Sequence, residues 1–254
     1  MTPAGTGGDG PPDRPFVLLN MAMSADGKIA TANRRVSSFG SPRDLAQLYE
    51  LRATADAVMC GARTADLAAV TLGNGGEKFR RLRLRRGLAE FPLRVLVSGS
   101  GTLNPQAHVF QKRFSPILLL TCQRAGRRRL AALRAQADAV RVCGRAELDF
   151  VQALRWLRRR WGVRRLLCEG GGELNDALFR AGVVDELHLT VCPLVLGGRG
   201  APTIAEGRGV ERLARACPLQ LKSRSRVGDE LFLVFTARPA ERGQVGHFTP
   251  RTKR

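Results

Sequence analysis

Glu169 closes the apolar run RLLC, and Gly170, Gly171 and Gly172 follow it before the amphipathic pattern LNDALFRAG begins. A carboxylate at the end of a strand points into the crevice where α/β sheets bind ligands. Glycines between a strand and a helix leave backbone N–H groups bare, and the helix N-terminus adds a field that favours phosphate. The turn is neither a Walker motif nor GxGxxG, so a merely tight turn stays open as an alternative. A second strand end, NMAMSADGKIAT, sets a carboxylate, a flexible backbone and an ammonium side by side in Asp26-Gly27-Lys28. Asp-Gly is equally ordinary turn chemistry. Thr64 follows the strand-like DAVMCG, and Gly197-Gly198 follow the strand-like DELHLTVCP. Residues of these types support anion binding, proton transfer and stabilisation of developing charge.

Alternating strands and helices must position them. FVLLNMA, DAVMCG, LRVLVSG, PILLLT, AVRVC, RRLLC and DELHLTVCP read as strands. SPRDLAQLYELRA reads as a helix with Ser41 as N-cap and Pro42 at its first position. A basic helix begins near Arg124, and ELDFVQALRWLRRRW carries Phe150, Leu154 and Leu157 on one side. LNDALFRAG is closed by Gly182, and QLKSRSRVGDELFLVFTA reads as a β-hairpin turned at Gly228-Asp229. The pattern predicts a single α/β domain with a mixed sheet and a C-terminal hairpin. That domain should span residues 14–237, between a Gly/Pro-rich disordered leader, 1–13, and a basic disordered tail, 238–254.

Composition narrows the function. The chain has 254 residues, 44% of them hydrophobic, enough for a real core. No apolar run approaches the roughly 20 residues of a membrane-spanning helix, and no signal peptide is recognisable, so a cytoplasmic protein is expected. Six widely spaced cysteines without a CxxC pair predict neither a disulfide framework nor a metal site. The net charge of +20 suggests nucleic acid at first. Five of the 42 basic residues are lysine, however, the basic runs are scattered, and aromatics make up 6%, too few for stacking platforms. Anionic small molecules suit this charge better, with nucleic acid held only by nonspecific attraction.

Taken together, NMAMSADGKIAT, ELRATADAVMCGART, LLCEGGGELNDALF and VDELHLTVCPLVLGG resemble the reductase domain of riboflavin biosynthesis. This is the family of 5-amino-6-(5-phosphoribosylamino)uracil reductases and of the C-terminal domain of bacterial bifunctional deaminase-reductases. The similarity runs from about Phe16 to Phe235 in the family's order. It implies a dihydrofolate-reductase-like fold, with a mostly parallel sheet flanked by helices. It also implies NADPH as cofactor, a phosphorylated pyrimidine as substrate and a homodimer. The implied reaction delivers hydride to the ribose C1′ of the aminouracil, or of its diaminopyrimidinone equivalent, turning ribosyl into ribityl. No HxE and no PCxxC is present, so the zinc deaminase step of the bifunctional relatives is excluded.

Residue by residue, the resemblance makes Gly170, Gly171, Gly172, Glu173, Leu174 and Asn175 the cradle of the cofactor diphosphate. Thr64 falls in the cofactor's ribose region, and Gly27, with Asp26, shapes the loop along the nicotinamide. Glu169 would reach the substrate beside the hydride path, and Lys28 would contact the pyrimidine carbonyl. Glu169 or Asp26, with a water, would deliver the proton. Arg52 would hold the substrate phosphate, with Ser37 or Ser38 beside it. The segment after Thr64 departs from the family: Ala68 and Ala69 occupy its usual acidic positions. The basic insertion that follows, with Lys78, Arg80 and Arg81, could bind a phosphate or form a solvated helix face. Two other readings stay open: a reductase of the same fold for another heterocycle, and a non-catalytic basic scaffold that binds nucleic acid.

Overall fold

A computed structural model describes residues 13–34, 39–67 and 70–237. The expected tail and all of the expected leader but Asp13 lie outside the described residues, as do Ser37, Ser38, Ala68 and Ala69. Nine strands form one sheet: β1 (Phe16–Ser24), β2 (Ala57–Gly61), β3 (Leu93–Val97), β4 (Ile117–Thr121), β5 (Ala139–Val142), β6 (Arg165–Cys168), β7 (Glu186–Cys192), β8 (Leu219–Val227) and β9 (Glu230–Ala237). The helices are α1 (Pro42–Arg52), α2 (Ala62–Ala65), α3 (Glu77–Arg85), α4 (His108–Gln111), α5 (Arg127–Arg134), α6 (Phe150–Trp161) and α7 (Gly172–Arg180).

Strand order is β5-β4-β3-β2-β6-β1-β7-β9-β8. The first seven strands run parallel, and β9 and β8 close the sheet antiparallel, as a hairpin whose turn is Gly228-Asp229. The order puts β6 between β1 and β2, at the point where the chain's progress across the sheet reverses. Ligand crevices in open α/β sheets form at the carboxyl ends of strands at such a reversal.

Alternation along each buried strand divides the core into two layers. Val17, Leu19 and Met21 of β1 pack with Phe150, Leu154 and Leu157 of α6 and with Leu174 and Leu178 of α7. Leu18 of β1 and Leu167 of β6 face the other layer, with Leu51 of α1 and Phe110 of α4. The ends of α6 and α1 follow from local chemistry. Asp149 caps α6 by accepting from the Gln152 N–H at 3.0 Å, and Gly162, at φ 66°, supplies the left-handed residue after it. Ser41 caps α1, with Pro42 next, as the sequence predicts.

The basic insertion carries Lys78 and Arg81 on a solvated helix face, one of the two roles left open for it, with the Arg81 side chain 68% exposed. Its helix α3 turns Arg83 inward to complete burial, where Nη1 donates to the carbonyls of Arg52 and of Ala55 (2.8 Å) and Nε to that of Ala89 (2.8 Å). Arg86 Nη1 reaches the Ala53 carbonyl at 3.0 Å. The Arg52 and Ala53 carbonyls are among those that the end of α1 leaves without intrahelical donors. Burial lowers the Arg83 pKa to about 10, which leaves it charged at neutral pH. Arg80 pairs with Glu77 and Glu90, Arg81 with Glu77, and the Lys78 ammonium lies 5.2 Å from the Phe79 ring centroid. The insertion is a strut under the end of α1.

Candidate active site

At the end of β6 the backbone N–H of Glu169 still donates to the Met59 carbonyl at 2.9 Å, so the residue is held in line with the sheet. Its carboxylate turns toward α1 and receives Arg52 Nε at 2.6 Å and Nη2 at 2.7 Å. Arg52 Nη1 donates to the Gly73 carbonyl at 2.8 Å, and its guanidinium lies 5.3 Å from the Tyr49 ring centroid. The two side chains are only 10% and 11% exposed. A bidentate pair this sheltered fixes the direction of the carboxylate. Three of the Arg52 hydrogen bonds go to protein oxygens, two on Glu169 and one on Gly73.

Asn20 is a buried polar residue next to this strand end that the sequence reading passed over. It lies on β1, the neighbour of β6, one position beyond the Leu19–Cys168 pair and opposite His188 of β7. It is 8% exposed, and among the described residues its Oδ1 is buried without a donor. A lone Asn in an apolar strand was the available signal.

The three glycines divide their work. Gly170 has φ 80°, and a Cβ there would lie 2.8 Å from Met21 Sδ. A Cβ on Gly172 would lie 2.4 Å from the Thr203 carbonyl oxygen. On Gly171 it would meet only Thr64 Oγ1, at 3.7 Å, and would project into a groove of about 820 Å³. Gly171, Gly172, Glu173, Leu174 and Thr64 all line this groove. Asn175 does not. It is 1% exposed and its Nδ2 donates to the Ile204 carbonyl at 2.7 Å, so it braces the turn from behind.

The Asp26 carboxylate accepts from Ser24 Oγ (2.5 Å), Leu196 N (3.1 Å) and Gly197 N (2.8 Å). The Ser24 hydrogen bond, followed by that from the Leu196 N–H, holds its pKa down at about 2. These three hydrogen bonds tie the β1 turn to the loop after β7. Gly27 completes the turn at φ 80°. Lys28 pairs its backbone with Thr203 and points Nζ at the Ala201 carbonyl, 3.3 Å away. No hydrogen bond or ion pair among the described residues joins Lys28 to Glu169.

The groove continues past the end of β3, where Ser98, Gly99, Ser100 and Thr102 line it together with Arg124. Ser98 is 4% exposed, and its Oγ is buried without a partner among the described residues. Arg124 Nη2 lies 3.4 Å from where a Cβ on Gly99 would sit. The small-residue run SGSG after LRVLV resembles the other strand-end loops and was legible in principle.

Comparison with known proteins agrees with this architecture. The family described as the RibD C-terminal domain matches residues 15–233. A relative from Methanothermobacter thermautotrophicus, named 2,5-diamino-6-ribosylamino-4(3H)-pyrimidinone 5′-phosphate reductase, is 34% identical over 89% of this chain and 99% of its own length. A protein of the same name from Aquifex aeolicus is 29% identical over 86% of this chain and 95% of its own. Among solved structures, a pyrimidine reductase-like protein from Corynebacterium diphtheriae superposes with a TM-score of 0.73 at 23% identity, covering 88% of this chain and 92% of the other. With a family match along nearly the whole body and a relative one-third identical from end to end, the chain belongs to the RibD C-terminal domain family.

Proposed function

We propose that the protein is an NADPH-dependent reductase of riboflavin biosynthesis. Its substrate is 2,5-diamino-6-ribosylamino-4(3H)-pyrimidinone 5′-phosphate or its deaminated counterpart, and its product carries ribityl in place of ribosyl. One observation carries this reading. Within three residues of a single strand end stand a carboxylate fixed in direction and a backbone open to a groove, Glu169 and Gly171. When bound, NADPH supplies a hydride. The protein's own groups bind and orient. The Gly171 backbone and the first turn of α7 receive the diphosphate, and Leu174 and Thr64 form the adjoining wall. Arg124 and the orphaned Ser98 hydroxyl, at the far end of the groove, suit a further phosphate, the group that distinguishes NADPH from NADH.

On the other side of β6, Glu169 faces the place where positive charge develops at C1′ once the glycosylamine opens, and a preorganised carboxylate stabilises that charge. Arg52 keeps the carboxylate aimed. The donor-less Asn20 oxygen beside it suits an amino or ring N–H group of the pyrimidinone. Lys28, with only a carbonyl as its hydrogen-bond partner, keeps an ammonium for the substrate. Incubation of the purified protein with either pyrimidine phosphate should consume NADPH in step with product. No pyrimidine-dependent loss of NADPH absorbance with either compound would refute the proposal.

The same reading takes the protein to be a cytoplasmic homodimer. All six cysteines are free, as in reducing compartments, and no helix among the described residues is long and apolar enough to cross a membrane. The hairpin leaves apolar surface for a second copy to cover, with all nine residues of β8 exposed.

A further inference from the structure

Glu173 and Arg63 face each other across the mouth of the glycine turn. Arg63 lies on α2, next to Thr64, and Glu173 is the second residue of α7. Arg63 Nη2 stands 3.0 Å from Glu173 Oε1, with the side chains 67% and 62% exposed. Both line the groove that Gly171 opens into. A second pair, Arg34 with Glu206 at 2.5 Å, stands on the same groove, and Arg34 also feels the charge of Glu173. Glu206 is anchored there, its N–H donating to the Gly172 carbonyl at 2.9 Å. Charges of alternating sign thus ring the one stretch of turn where a ligand can approach bare backbone.

A carboxylate in the first turn of a helix is stabilised by the helix field. A diphosphate would use that same field and the same N–H groups, so Glu173 and an incoming anion compete for one place. An exposed ion pair contributes little and exchanges readily. A guanidinium binds a phosphate through paired hydrogen bonds at least as well as it binds a carboxylate.

We propose that Arg63 is a ligand for the cofactor's diphosphate, held in reserve by Glu173, and that cofactor binding exchanges the carboxylate for the phosphate. Glu173 thereby acts as a built-in competitor that weakens cofactor binding. This rests on the groove being the nicotinamide-nucleotide site proposed above.

The test is titration of the full-length protein with NADPH and with NADH at low and high salt, alongside thermal melting. Glu173→Gln should tighten both nucleotides by about threefold, the scale of an exposed pair. Arg63→Gln should weaken both by a similar or larger factor and make the salt dependence shallower. In the double variant, Glu173→Gln should no longer produce its full gain. Unchanged affinity in Glu173→Gln with a lowered Tm would overturn the proposal and leave Glu173 a helix-end stabiliser. An Arg63 effect on NADPH but not on NADH would overturn it too, because the diphosphate is common to both. A wild-type protein that binds neither nucleotide would instead refute the reading of the groove itself.

Discussion

Met21, open space and Thr203 are what Gly170, Gly171 and Gly172 respectively meet, and only Gly171 leaves room for a ligand. Gly171→Val should therefore raise the Kd for NADPH by about tenfold or more, the scale of overpacking a filled site. Melting should stay near that of wild type, because the new Cβ meets no protein atom closer than Thr64 Oγ1, at 3.7 Å. Normal cofactor affinity in this variant would place the cradle elsewhere. The run of glycines was legible in the sequence, but the division of work among them was not, since Met21 and Thr203 come from distant segments. Arg52, Asp26 and Asn175 repeat the lesson. Residue type marked each as polar and near the site. Their partners, Glu169, the Leu196 and Gly197 amides, and the Ile204 carbonyl, depend on how loops far apart in the chain meet.

Among the elements, α3 shows most clearly what a helix can conceal. Its sequence, EKFRRLRLR, reads as a charged surface, yet Arg83 is fully buried. Only the geometry of the end of α1, with its unmatched carbonyls, explains that inward turn. Arg83→Met would remove the side-chain donors to the Arg52, Ala55 and Ala89 carbonyls and should cost about 2–4 kcal/mol of stability, measurable by urea unfolding. An unchanged unfolding midpoint would show that the strut is dispensable. Strand β7 makes a prediction about pH. Glu186 is buried, which pushes its pKa up, but hydrogen bonds from His188 and Lys222 outweigh that and lower it from 4.5 to about 2. A depressed carboxyl contributes stability that is fully present above about 4.5 and is lost as pH falls toward 2. Glu186→Gln should flatten the stability profile across that window. A wild-type slope retained in the variant would assign the acid sensitivity to other groups. The strands, α1 and α6 were legible from alternation, from Ser41 and Pro42 and from the spacing of Phe150, Leu154 and Leu157, because local chemistry sets them.

Over the whole molecule, the alternation of strand and helix and the closing hairpin announced the class of fold. The insertion of β6 between β1 and β2 did not show in any local pattern, because strand order is a matter of long-range packing. That insertion puts Glu169 at the reversal point and so assembles the site. The hairpin leaves Leu219, Leu221, Val227 and Leu231 exposed, more apolar surface than a polar edge needs. Light scattering at micromolar concentration should report a dimer, and replacing Leu219 and Leu221 with Lys should shift it to monomer. A monomeric wild type would contradict this. Glu169→Gln leaves the buried Arg52 without its counter-charge, so some loss of Tm is expected whether or not the residue is catalytic. Turnover must therefore be measured at a temperature where the variant is fully folded, with NADPH affinity determined on the same preparation. If Glu169 stabilises charge at C1′, kcat should fall by about 10²-fold or more while the Kd for NADPH barely changes. A folded variant that binds NADPH normally and turns over at the wild-type rate would contradict it.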